Sequence, residues 1–102
     1  MKEARAATLL KRATEIVSDA TRVRRAQVNE AESVMMQIVA VAHQVGIIPP
    51  PGNRDHTAYL EDVRSALSNR AELVSPAIHV MGLVGRIDFL VLLDRTMAAY
   101  ST

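Results

Sequence analysis

The sequence predicts an all-α protein, and three observations carry that reading. Residues 2–45 contain neither proline nor glycine and repeat apolar or small residues at helical spacing. The aromatic residues are Tyr59, Phe89 and Tyr100, so a core here is built from Ala, Val, Leu, Ile and Met, which suits helix-on-helix packing better than sheets. The run Ile87 to Leu93 reads equally well as a buried strand, but the chain offers no second strand to pair with it. The expected layout is a long N-terminal helix over about 2–45 and a proline-rich connector over 46–54. Helices over about 56–74 and 76–99 follow, forming a small helical bundle that oligomerisation completes. At 102 residues the chain is read as one helical domain, short enough to be marginal alone.

The long helix rests on a heptad of Ala7, Leu10, Thr14, Val17, Thr21, Arg24, Val28, Ala31, Met35, Ile38, Ala42 and Val45. Alternating steps of three and four place these residues on one stripe. The stripe is weak before Val28 and strong after it. Arg24 falls in the seam, so either the seam is exposed there or Arg24 has a buried acidic partner. A break at Ser18-Asp19, both good N-caps, is the alternative to one unbroken helix. Unbroken, the helix reaches roughly 60–65 Å at 1.5 Å per residue.

Gly46 is placed to end that helix in the left-handed conformation. The run Ile47-Ile48-Pro49-Pro50-Pro51-Gly52-Asn53 then favours an extended polyproline connector, a spacer before it is a docking motif. Asp55 or Thr57 caps the second helix, whose apolar stripe is Tyr59, Leu60, Val63, Ala66, Leu67 and Leu73 or Val74. Ser75-Pro76 reads as the next start, with serine as N-cap and proline in the first helical position. The last helix is apolar nearly all round, which places it inside a bundle or against a partner. Gly82 and Gly85 cost about 1 kcal/mol each in a helix interior, and permit a close approach or mark a bend.

The chemistry-bearing residues form no enzymatic motif. Without cysteine there are no disulfides, thiolate metal sites or thiol nucleophiles. His43, His56 and His79 lack metal-ligand spacing. The acidic pairs Glu30/Glu32 and Glu61/Asp62 lack the Glu-x-x-His companion of a dimetal bundle. No serine sits in a nucleophile elbow, and Gly82-Leu83-Val84-Gly85 lacks the lysine of a phosphate loop. The expectation is a protein without catalytic residues, metal or cofactor.

A formal net charge of +1 does not by itself attract polyanions. Arg22, Arg24 and Arg25 form the one basic cluster, a candidate polyanion contact backed by Arg5, Lys11 and Arg12. No aromatic interleaves it for base stacking. Met1 to Arg5 opens no apolar leader core, and Val80 to Leu93 is too short and too charged to span a membrane. The expected location is the cytoplasm.

Apolar surplus decides the functional reading. Three helices with these stripes hold more apolar surface than they cover among themselves, and such surplus marks an interaction surface. The expected partner is protein, as a homo-oligomer or a larger assembly, contacted through Val28, Met35, Ile38, Val84, Ile87 and Leu90. The expected role is a helical interaction module such as an assembly component, adaptor or small chaperone. A small nucleic-acid-associated regulator using Arg22, Arg24 and Arg25 is the alternative.

Overall fold

The computed structural model describes residues 2–101, with side chains for residues 7–16 and 18–101. Four helices follow in order: α1 Lys2–Val45, α2 His56–Ser68, α3 Ala71–Val84 and α4 Arg86–Tyr100. The chain is all-α, as its periodicity predicts. α1 continues through Ser18 and Asp19 without a break. At ~1.5 Å per residue its 44 residues account for the 67 Å long axis of a molecule only 27 × 24 Å across.

The core sits on the C-terminal half of α1. Ala31, Met35, Ile38, Val39 and Ala42 are buried there, at the three- and four-residue steps of the strong half of the stripe. The same core takes in Leu73, Ala77 and Val80 from α3, Phe89, Leu92 and Leu93 from α4, and Tyr59, Val63 and Leu67 from α2. α1 packs chiefly on α3 and α4, and α2 closes the other side of that pair. No polar or charged residue is buried among the described residues, so burial of aliphatic surface and Phe89 holds the bundle together.

Gly46 ends α1 at φ 71, and the Ile47 N–H bonds the Ala42 carbonyl at 3.1 Å. Ile47 and Ile48 then pack against the core. The proline run is tied to α2 rather than offered outward. The Tyr59 hydroxyl donates to the Pro49 carbonyl at 2.8 Å, and Arg54 donates to the Pro50 carbonyl at 2.7 Å. Arg54 also pairs with Asp62 and lies 5.4 Å from the Tyr59 ring centroid. Asp55 is the residue that caps α2, accepting from the Ala58 N–H at 3.3 Å.

Two helix boundaries differ from the sequence reading. The expected break at Ser75-Pro76 lies instead at Asn69–Arg70, and Pro76 sits inside α3. The stripe Leu73, Ala77, Val80 explains why: these residues bury one face only if a single helix runs through position 76. Pro76, the sixth residue of α3, has no N–H to bond the Glu72 carbonyl, and the burial of the face formed by Leu73, Ala77 and Val80 offsets that loss. The expected single helix over 76–99 is divided at Gly85. Gly85 has φ 88 and ψ 170, and the chain bends by 117° between α3 and α4. That backbone conformation is essentially restricted to glycine. Gly85 closes both helices, its N–H bonding the Met81 carbonyl at 2.8 Å and its carbonyl accepting from the Phe89 N–H at 2.9 Å. The segment looks apolar all round because it is two helices turning different faces inward.

Candidate protein-interaction surface

The bundle covers only part of α1. From Ala7 to Ala26 every described side chain is exposed, and partial burial begins at Gln27 and Val28. Arg24 marks the root of the free half. Its guanidinium donates to the Leu83 carbonyl at 3.2 Å and to Asp88 at 3.1 Å, gripping both sides of the Gly85 elbow. The seam is exposed at Arg24, and its acidic partner, Asp88, is about half exposed and not buried.

The free half carries its own apolar stripe. Leu9, Ile16 and Val23 recur every seven residues, at 63%, 69% and 59% exposure. Ala13 and Ala20 alternate with them, also exposed. The steps 9, 13, 16, 20, 23 form a heptad seam of alternating large and small residues. This seam is offset by one residue from Leu10, Thr14 and Thr21. Thr14 turns its hydroxyl back onto the Leu10 carbonyl at 2.9 Å. Val17, the seam residue expected between them, lies outside the described side chains, as does Arg5. The spacing of Leu9, Ile16 and Val23 was present in the sequence; following the strong seam backward by sevens passed it by one position.

The six residues expected at a partner interface divide. Met35 and Ile38 are buried in the chain's own core at 0% and 1% exposure, so they present no surface to another molecule. The elbow at Gly85 supplies the cover that a single last helix lacked. Val84 and Leu90 are half-buried against the core, and Val28 is half-buried on α1. Ile87 is the most exposed of the described large apolar residues, at 78%, and stands beside the Asp88 that Arg24 holds. Val91, one turn further along α4, is also exposed, as is Ile78 on α3.

A second apolar feature lies between α1 and α4. Met36 and Ala40 face Leu92, Ala99 and Tyr100 across an open groove of about 550 Å³, with Glu32 and Arg95 in its lining. Tyr100 is held by stacking on His43, with ring centroids 4.4 Å apart and planes 11° from parallel. A groove of this kind takes apolar side chains; nothing in it supplies a nucleophile paired with a base.

Two of the three clustered arginines face carboxylates of the same chain. Arg22 pairs with Asp19 one turn back, and Arg24 with Asp88. Arg25 is exposed. The histidines make helix-to-helix pairs: His79 with Glu30 at 3.2 Å and His56 with Asp94 at 3.0 Å. Among the described residues no group of three or more His, Cys, Asp or Glu is placed to hold a metal ion. No single helix among them is long and apolar enough to cross a membrane. Comparison with protein-family models, curated proteins and solved structures finds no significant match. The surface itself therefore carries the functional reading. What it offers chemically is an exposed amphipathic helix, an apolar elbow and a shallow groove, all suited to contact with another polypeptide.

Proposed function

We propose that this chain is a non-catalytic helical interaction module, an assembly component, adaptor or small chaperone, whose free half of α1 engages another protein. The single observation behind this reading is that Leu9, Ile16 and Val23 lie exposed on a regular helical seam that no other helix among the described residues covers. Most helical stability in proteins comes from tertiary packing of an amphipathic face. An apolar seam on such a helix stabilises it only when a second surface covers the seam. A further exposed apolar residue, Ile87, stands at the elbow next to the Asp88 that Arg24 holds.

Site-specific photo-crosslinking tests the proposal. A photoreactive residue replacing Ile16 in the full chain, expressed in cells, is expected to give a protein adduct of discrete mass. The same residue at Ser18, on the opposite side of the helix, is expected to give none. Absence of an adduct at Ile16, or equal labelling at both positions, overturns the reading.

A further inference from the structure

The interaction reading leaves the partner open, and the inference that follows rests on it. We propose that residues 9–20 of α1 pair antiparallel with the same residues of a second copy, with Leu9 against the partner's Ala20 and Ala13 against the partner's Ile16.

The alternation of large and small seam residues selects the direction. In a parallel pair, equivalent residues meet. Leu9 would face Leu9 and Ile16 would face Ile16 in wide layers, while Ala13 and Ala20 would face their equivalents across thin ones. Helix axes cannot stay evenly spaced over such a sequence without voids in the alanine layers, and voids forfeit dispersion contacts. In an antiparallel pair each large residue meets an alanine. All four layers from Leu9 to Ala20 then have similar width, and the small residues let the backbones approach closely.

The charges agree with the same register. Beside the seam, Arg12 and Asp19 occupy equivalent flanking positions of successive heptads. Antiparallel pairing brings like flanks together, so Arg12 meets the partner's Asp19 and Asp19, which also pairs with Arg22 of its own chain, meets the partner's Arg12. Shifting the register by one heptad places Asp19 against the partner's Asp19, which like-charge repulsion disfavours. Direction also separates the basic clusters. A parallel pair gathers Arg22, Arg24 and Arg25 of both copies at one end. The antiparallel register holds the two Arg24 positions ~28 Å apart along the axis at 1.5 Å per residue. The paired span stops short of Gln27 and Val28, where burial by the bundle begins.

The absence of native cysteine makes disulfide trapping a clean test. Leu9→Cys and Ala20→Cys are prepared as separate full-length variants, oxidised alone and then mixed. The expected result is a covalent dimer in the mixture only. In the proposed register the two introduced thiols of a Leu9→Cys pair sit ~16 Å apart along the axis, beyond disulfide reach. A dimer from either variant alone would show parallel pairing and overturn the inference. Sedimentation of the wild-type chain is expected to give twice the 11.2 kDa chain mass. Ile16→Asp is expected to return it to monomer with its bundle intact. Arg12→Asp is expected to weaken dimerisation roughly threefold to tenfold, and Arg12→Asp with Asp19→Arg to restore it. A chain monomeric at all concentrations overturns self-pairing. If Ile16 still captures a different protein in cells, the interaction reading stands without it; if Ile16 captures nothing, both fall.

Discussion

Arg24 on α1 and Asp88 on α4 close a 3.1 Å ion pair across 64 positions of sequence. The same guanidinium caps the Leu83 carbonyl at the end of α3. This clamp joins the root of the free half of α1, one turn before burial begins at Gln27, to the elbow. Both side chains are about half exposed, so the charge pair is expected to be worth about 0.2–1 kcal/mol and to weaken with salt. A double-mutant cycle of Arg24→Ala and Asp88→Asn, read by urea unfolding at low and high salt, measures it. Coupling that is indistinguishable from zero at low salt would remove the clamp. In the same experiment, amide exchange from Val23 to Val28 is expected to quicken in Arg24→Ala while the Met35 to Ala42 segment is unchanged.

Met35 and Met36 are neighbours in sequence with opposite surroundings. Met35 is fully enclosed in the core, whereas Met36 is 64% exposed at the groove. Truncating a buried methionine to alanine removes transfer free energy and leaves a cavity. Met35→Ala is therefore expected to cost about 2–5 kcal/mol, and Met36→Ala to stay within about 0.5 kcal/mol. Urea midpoints of the two variants check this. Equal losses would mean that α1 is rotated about its axis from the packing described.

Much of the fold was legible because local chemistry and long-range packing agree. The proline-free run fixes α1, Gly46 with the proline run fixes its end, and Asp55 fixes the start of α2. The boundary near Pro76 was not legible from local signals. Ser75-Pro76 is a good helix start in isolation, and only the stripe Leu73, Ala77, Val80 reveals that burial demands an unbroken helix there. The interaction surface was half legible for a related reason. A stripe tells that Met35 and Ile38 are buried but not by whom. With the last segment read as one straight helix, both called for a second molecule; bent at Gly85, the chain covers them itself. The free seam of Leu9, Ile16 and Val23 was missed because the stronger seam after Val28 set the register in which the first half was read.

The two glycines of the C-terminal region are expected to respond in opposite directions. Gly85 holds a positive φ at the elbow, while Gly82 is helical and exposed, and a methyl group added at either meets nothing within 4 Å. Sterics against neighbours are thus removed from the comparison, and backbone preference alone decides. Gly85→Ala forces alanine into a region reserved for glycine and is expected to destabilise by about 1–3 kcal/mol. Gly82→Ala lowers the entropy of the unfolded chain and raises helix propensity, for a gain of about 1 kcal/mol. Thermal and urea unfolding of both variants decide it. A stabilised Gly85→Ala would mean that α3 and α4 form one straight helix.

Glu61 links α2 to α4 and sets an acid limit on the stability of the bundle. Its carboxylate accepts from Arg64 on the same helix at 2.8 Å and from Arg86 at the start of α4 at 3.2 Å. The Arg64 hydrogen bond first, and then the Arg86 hydrogen bond, hold the Glu61 carboxyl below the usual range against opposing desolvation. Glu72 is lowered as well, by its own backbone N–H in the first turn of α3 and then by Arg70. A carboxyl whose folded pKa lies below its unfolded value is more readily protonated in the unfolded chain. Its contribution is therefore complete above the ordinary glutamate value of about 4.3 and is lost as pH falls from there through the lowered folded value. Glu61→Gln removes the titration while keeping the shape. The urea midpoint of the wild-type chain is expected to exceed that of Glu61→Gln at neutral pH, and the gap to close as pH drops below about 4.3. A gap that persists unchanged to pH values below the folded pKa would mean that the bridge between α2 and α4 rests on packing of the Arg64 and Arg86 stems and not on the carboxylate charge.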